Sequence, residues 1–92
     1  MPRSTVYYPN GDVIEKVHPE SMGYDETKKF VQGWVERVPP IYIRENVEVY
    51  VNEDGMPLGL RRNNNETMTR RFGGNLPPLF GPVVVAEDWN MQ

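Results

Sequence analysis

The residues best suited to chemistry lie in one polar segment, 61–71, in the second half of the chain. It holds four arginines and one glutamate, although the whole chain has a formal net charge of −3. Arginine makes planar bidentate contacts with phosphate, asparagine can read base edges, and a helix beginning near residue 65 offers free N–H groups. The segment therefore suggests a site for a nucleotide or nucleic acid, formed by Arg61, Arg62, Asn64, Asn65, Arg70 and Arg71. The alternative is a solvated loop and helix whose arginines pair with surface carboxylates.

Combinations of residues that could catalyse a reaction or bind a metal are scarce. One histidine and no cysteine exclude thiolate nucleophiles, cysteine zinc sites and two-histidine metal sites. A dyad of Ser21 with His18 has no orienting group, and the adjacent carboxylates at 53–54 and 87–88 would point to opposite faces of a strand. We therefore expect a protein that is not an enzyme and needs no metal or cofactor.

Composition is typical of a small globular protein. The chain has 92 residues, 38% of them hydrophobic and 25% charged, so we expect a single domain spanning 1–92 with an acidic tail at 86–92. The mild negative charge argues against general coating of nucleic acid or attraction to an anionic membrane. No apolar run approaches the roughly 20 residues of a membrane span. The first four residues lack a signal core, which favours a cytoplasmic protein.

One stretch, Tyr24 to Val38, carries a helical apolar stripe that would pack on a sheet. The stripe has i, i+3, i+4, i+7 spacing, with Phe30 and Trp34 expected in the core. Its members are Thr27, Phe30, Val31 and Trp34. The helix begins near Asp25, and its end has two interpretations. Periodicity would carry it to residue 38, whereas Gly33 offers a left-handed position that stops helices. We favour the stop at Gly33, which makes residues 34–38 a strand.

Short runs of β-branched and aromatic residues predict the first strands. Residues 5–8 and 13–17 flank Pro9–Asp12, in which Gly11 suits a hairpin turn. Alternating valines at 47–51 are typical of a half-buried strand. Residues 41–43 either begin that strand or form a short one of their own.

A second turn should follow, with Gly55 at positive φ. Leu58 and Leu60 would then line one face of an edge strand, where Pro57 is tolerated. Such an exposed edge would allow a homodimer.

The last third of the chain predicts a short helix and a central strand. The helix would run from about Asn65 to Phe72, with Met68 and Phe72 as its apolar anchors and Gly73–Gly74 at its end. Leu79 and Phe80 would fold back as a plug. The apolar run at 82–86 suits a central strand. Together the elements predict an α+β fold, a mostly antiparallel sheet of about five strands packed against one main helix, with a short second helix.

The order of these signals also carries a family resemblance. Its motifs are the hairpin around Pro9–Asp12, then Val31–Glu36, Val51–Leu60, Asn65–Thr69 and Gly81–Val85. This series resembles the bacteriophage and bacterial family called domain of unknown function 3846, over about Val6 to Val85. Gln32 and Met68 stand where that family has a glycine and usually an alanine. The resemblance implies the helix stop at Gly33, a strand after it and a phage-type origin, but no function.

Two hypotheses about function follow. The first is a small non-catalytic binding protein of phage type that engages a host or phage protein in the host cytoplasm. Trp89 in the tail would either fold back onto the sheet or serve as an exposed anchor for that partner. The second is a nucleotide or nucleic-acid binding module that uses the segment 61–71.

Overall fold

The computed structural model describes residues 3–17, 24–43 and 45–87. The predictions for His18, Ser21 and Trp89 lie outside these residues. Residues 86 and 87, expected in the acidic tail, belong to the last strand. Along the chain the elements are β1 (Arg3–Tyr7), β2 (Val13–Val17), α1 (Tyr24–Val31), β3 (Val35–Arg37), a 3₁₀ turn (Pro40–Tyr42), β4 (Glu48–Asn52), α2 (Glu66–Phe72), a second 3₁₀ turn (Gly73–Asn75) and β5 (Val83–Glu87).

The five strands form one antiparallel sheet in the order β2-β1-β5-β4-β3. The α+β prediction is confirmed, including the hairpin of β1 and β2, whose turn places Gly11 at φ 100°. β5 lies in the middle of the sheet, and its residues 83–86 are all buried. A continuous apolar run suits this place because both faces of a central strand are covered.

The two helices cover opposite faces of the sheet. On one face, Val31 of α1 packs with a cluster that includes Val84 and Tyr50. On the other face, Met68 and Phe72 of α2 pack with a larger cluster. Each of these fully buried apolar side chains stabilises the fold by roughly 1.5–3 kcal/mol. The short second helix therefore covers the larger of the two core clusters.

Helix α1 ends in a Schellman motif, close to the predicted stop. The N–H of Gly33 donates to Lys28 O at 3.2 Å, and the N–H of Gln32 donates to Lys29 O at 3.3 Å. The left-handed residue is Gln32, with φ 64°, and not Gly33 as expected. Glycine suits position 33 for a steric reason, because a Cβ there would lie 2.6 Å from the side-chain nitrogen of Asn52.

The prediction that Trp34 belongs to the core is wrong. Its side chain is 59% exposed, because the helix stops at Val31 and the i+7 position no longer lies on the helical stripe. Lys28 instead lies over the indole, with Nζ 3.9 Å from the ring centroid. Phe30 is partly buried against the sheet, and Thr27 is fully buried.

The segment 40–60 differs most from expectation. Residues 40–42 form a 3₁₀ turn in place of a strand, and 53–59 form successive turns, so no edge strand returns from residue 55. Local hydrogen bonds, such as Leu58 N–H to Asp54 O at 2.9 Å, hold these turns. Leu58 is consequently 64% exposed. Gly59, not Gly55, takes a positive φ of 72°.

Candidate functional site

Asn65, predicted as a ligand-binding residue, is buried and fully engaged within the protein. Its side-chain oxygen accepts the N–H groups of Thr67 and Met68 at 3.0 and 3.2 Å, which caps α2. Its side-chain nitrogen donates to the carbonyl oxygens of Tyr8 and Asp12 at 2.9 and 3.0 Å. The amide therefore ties the start of α2 to the β1–β2 turn.

Asn63 has a similar role, which reasoning from the sequence missed. Its side chain donates to the carbonyl oxygens of Tyr7 and Gly81 at 2.8 and 2.9 Å and accepts from the N–H of Asn65 at 3.0 Å. Asn63 and Asn65 are 5% and 2% exposed, whereas Asn64 between them is exposed. The two buried asparagines of this run flank an exposed one, and it is the two buried side chains that make these hydrogen bonds.

Arg71 is the most engaged of the four arginines. Its guanidinium donates to both oxygens of Glu45 at 3.0–3.3 Å, to Glu87 at 2.6 Å and to the Tyr7 hydroxyl at 3.1 Å. Burial by itself lowers the pKa of Arg71. Hydrogen bonds to Glu45, Tyr7 and Glu87 outweigh this effect and raise the pKa above the ordinary arginine value. The residue joins α2 to β1, to β5 and to the segment before β4, and each of its three guanidinium nitrogens donates to a partner.

The other predicted site residues remain on the surface. Arg70 pairs with Glu66 one turn earlier, at 2.5 Å. Arg61 and Arg62 are exposed and form no ion pair with any residue the structure describes. Arg62 and Asn64 line a pocket of about 170 Å³ beside α2, and Arg71 does not reach it. The six residues thus do not converge on one site.

A groove of about 360 Å³ lies on the α2 face of the sheet, at the β3 edge. Apolar residues form most of its lining, namely Val38, Pro39, Tyr42, Val51, Met56, Pro77, Pro78, Leu79 and Phe80. The partly exposed Tyr42 and the largely exposed Met56 lie on its rim. This volume falls at the lower end of the range for ligand pockets, about 300–1,000 Å³.

Among the described residues, the charges that line the groove are of one sign. Glu36 and Glu53 contribute carboxylates, and no described arginine or lysine lines it. Neither glutamate forms an ion pair within the described ranges. Within the described part of the chain, the groove therefore combines a mostly apolar lining with two carboxylates that have no cationic partner.

Glu48 and Tyr50 form a separate pair on β4. The Tyr50 hydroxyl donates to Glu48 at 2.6 Å, and Arg37 lies 3.7 Å from the same carboxylate. Burial, followed by the hydrogen bond to Glu48, raises the pKa of Tyr50 above its usual value. Across residues 3–17, 24–43 and 45–87, no three His, Cys, Asp or Glu side chains are grouped as metal ligands would be.

Comparison of the chain with known protein families, with curated proteins and with solved structures finds no significant match in any of the three. Neither helix of the described segments has the length and hydropathy of a membrane span.

Proposed function

We propose that the protein is a non-catalytic binding protein whose groove on the α2 face accommodates apolar side chains of a protein partner. The observation that carries the proposal is the distribution of exposed apolar residues. Tyr42 and Met56 lie on the groove itself, and Ile41 and Leu58, 87% and 64% exposed, lie in the same two loops. Clusters of exposed apolar side chains on a monomer commonly mark interaction sites.

The chemistry of the lining favours a polypeptide over a small polar molecule. Prolines, aromatic rings and methionine offer broad apolar contact, and interface cores are enriched in aromatic residues and methionine. The phage-type origin that the family resemblance implies remains a prediction, and with that origin the partner would be a phage or host protein.

Affinity capture tests this function. The immobilised protein should recover one stoichiometric partner from a bacterial lysate, and Tyr42→Ser and Met56→Ser should each reduce the recovery. Ile14→Ser is the matched control, since Ile14 is an exposed apolar residue (53%) on β2, at the opposite end of the sheet. Thermal unfolding of all three variants confirms that they fold.

Three results would reject the proposal. These are recovery of no stoichiometric protein, recovery that both groove variants leave intact, and equal loss with Ile14→Ser.

Binding of a phosphate-bearing ligand is a second candidate function. The observation that favours it is that Arg61 and Arg62 are exposed without ion pairs among the described residues, with Arg62 beside a polar pocket. A single-stranded oligonucleotide and an adenine nucleotide should bind at low salt and dissociate as salt rises. Arg61→Ala and Arg62→Ala should weaken binding, and Arg70→Ala is the matched control. Absence of binding at low salt rejects this candidate.

A further inference from the structure

Among the residues that the structure describes, the backbone groups on the outer edge of β3, beside the groove, have no hydrogen-bond partner. β3 lies at one end of the sheet and pairs, among the described strands, only with β4. The residues that exchange backbone hydrogen bonds across this pair are 34 with 53, 36 with 51 and 38 with 49. In an antiparallel pair the alternate residues direct their N–H and C=O groups to the other side. Val35 and Arg37 therefore present two donors and two acceptors to the outside of the sheet.

The side chains of β3 differ between the two faces. Glu36 is exposed and faces the groove, together with Val38 just beyond the strand. Val35 lies on the α1 face, where it is partly buried against the core cluster that contains Val31 and Val84. An extended segment lying along this edge would meet a carboxylate and the apolar groove on one face only.

We propose that β3 binds an extended, cationic segment of the partner by strand addition, with a lysine or arginine of that segment opposite Glu36. The inference rests on the proposed function and specifies the class of segment recognised. Main-chain hydrogen bonds to Val35 and Arg37 would supply affinity, and side-chain pockets would supply specificity. Opposite charges facing each other across two strands stabilise the pair. A residue two positions from the cation lies on the same face, where the groove would accept an apolar side chain.

A second copy of this chain fits the edge less well. Two copies could pair through this edge in antiparallel orientation. If all the outward N–H and C=O groups are to form hydrogen bonds, Val35 must lie opposite Arg37 of the second copy. Glu36 then faces Glu36 of the second copy in a non-hydrogen-bonded pair, whose Cα atoms are only about 4.5 Å apart. Like charges directly opposite are destabilising. On the groove face of this edge, the charge of Glu36 thus favours a cationic partner over a symmetric dimer, while Arg37 lies on the other face, 3.7 Å from Glu48.

Selection from a surface-displayed library of random heptapeptides tests the inference. Peptides that bind the wild-type protein should carry lysine or arginine, with apolar residues two positions away. A parallel selection on Glu36→Lys should lose this preference and enrich aspartate or glutamate at the same position. Glu66→Lys is the matched control, since Glu66 is an exposed glutamate on α2, and it should select the same cationic peptides as wild type.

A pair of substitutions at one residue tests the backbone contribution. Arg37→Pro removes an outward N–H, whereas Arg37→Ala keeps it, and edge strands tolerate proline whose missing N–H faces solvent. The best selected peptide, made synthetically, should bind Arg37→Pro about five- to tenfold more weakly than Arg37→Ala, as expected for one lost hydrogen bond. Thermal unfolding checks that both variants are folded.

The outcomes separate the inference from the proposed function. Peptides that depend on Tyr42 and Met56 but ignore Glu36→Lys would leave the proposed function standing and overturn strand addition. Equal binding by the two Arg37 variants would also overturn strand addition. A selection that yields no peptide dependent on the groove would overturn both.

Discussion

The side chain of Asn65 donates a hydrogen bond of 3.0 Å to the carbonyl oxygen of Asp12, 53 residues earlier in the chain. The same side chain caps α2, so one buried amide fixes the helix and the β1–β2 turn relative to each other. A residue whose type suggested base recognition thus has an architectural role.

Replacing Asn65 with alanine should lower the free energy of unfolding by about 2–4 kcal/mol, because the helix cap and two further hydrogen bonds are lost together. Asn64→Ala is the matched control and should change stability by less than about 0.5 kcal/mol, since that side chain is exposed. Urea denaturation measures both. Similar values for the two variants would contradict the architectural role.

Arg71→Ala should lower the free energy of unfolding by about 2 kcal/mol, since it leaves Glu45, Glu87 and the Tyr7 hydroxyl without their donor. Arg70→Ala removes only an exposed pair with Glu66 and should cost about 0.5 kcal/mol or less. Arg71→Lys should recover only part of the loss, because an ammonium cannot reproduce the guanidinium fork. Chemical denaturation of the three variants at one salt concentration measures the difference.

Gly33→Ala should destabilise the fold by about 1–3 kcal/mol, as overpacking does in a tight site. The new methyl group would lie 2.6 Å from Asn52 Nδ2, which donates to Val31 O at 3.0 Å. Gly74→Ala is the control, since a methyl group there would meet no atom within 4 Å beyond its chain neighbours, and it should be neutral within about 0.5 kcal/mol. Melting temperatures rank the two variants, and a tolerated Gly33→Ala would refute this explanation of the glycine.

Substitution of the neighbouring residue, Gln32, should have the opposite effect on the free energy of unfolding. Gln32 adopts φ 64°, a conformation that costs residues with a Cβ more than it costs glycine. Gln32→Gly should therefore raise the free energy of unfolding by about 0.5–1 kcal/mol. Differential scanning calorimetry measures this, and a lower melting temperature would show that the Gln32 side chain contributes more than its backbone strain costs.

At alkaline pH, the free energy of unfolding should depend on the ionisation of Tyr50. Its pKa is raised in the folded protein, first by burial and then by Glu48, from the ordinary value of 10.0. The folded state therefore holds this proton more tightly than the unfolded state, so the stabilisation is complete below pH 10 and declines as the pH rises above it. In Tyr50→Phe this decline should be shallower. Urea denaturation between pH 9 and about 11 compares the two slopes, and parallel curves would contradict the assignment.

Elements with a complete local signal could be predicted from the sequence. The β1–β2 turn has its glycine, α2 has an asparagine cap with anchors one turn apart, and β5 has an unbroken apolar run. In each case the residues that decide the structure are close in sequence. The structure confirms all three.

Features that depend on distant residues could not be predicted. Trp34 fits the helical stripe, and only the termination at Gln32 removes it from the core. The groove draws on loops as far apart as Pro39 and Pro78, and no single segment carries its signature. The arginines show the same limit, because sequence proximity did not reveal that Arg71 turns toward Glu45 and Glu87 while Arg62 remains exposed.

The position of β5 has a consequence for biosynthesis. It is the last of the five described strands along the chain, yet it is the central strand of the sheet, between β1 and β4. During translation the first four strands emerge without the neighbour that joins them, and such contacts of long sequence separation form slowly. The nascent polypeptide can therefore complete its sheet only after residues 83–87 leave the ribosomal exit tunnel.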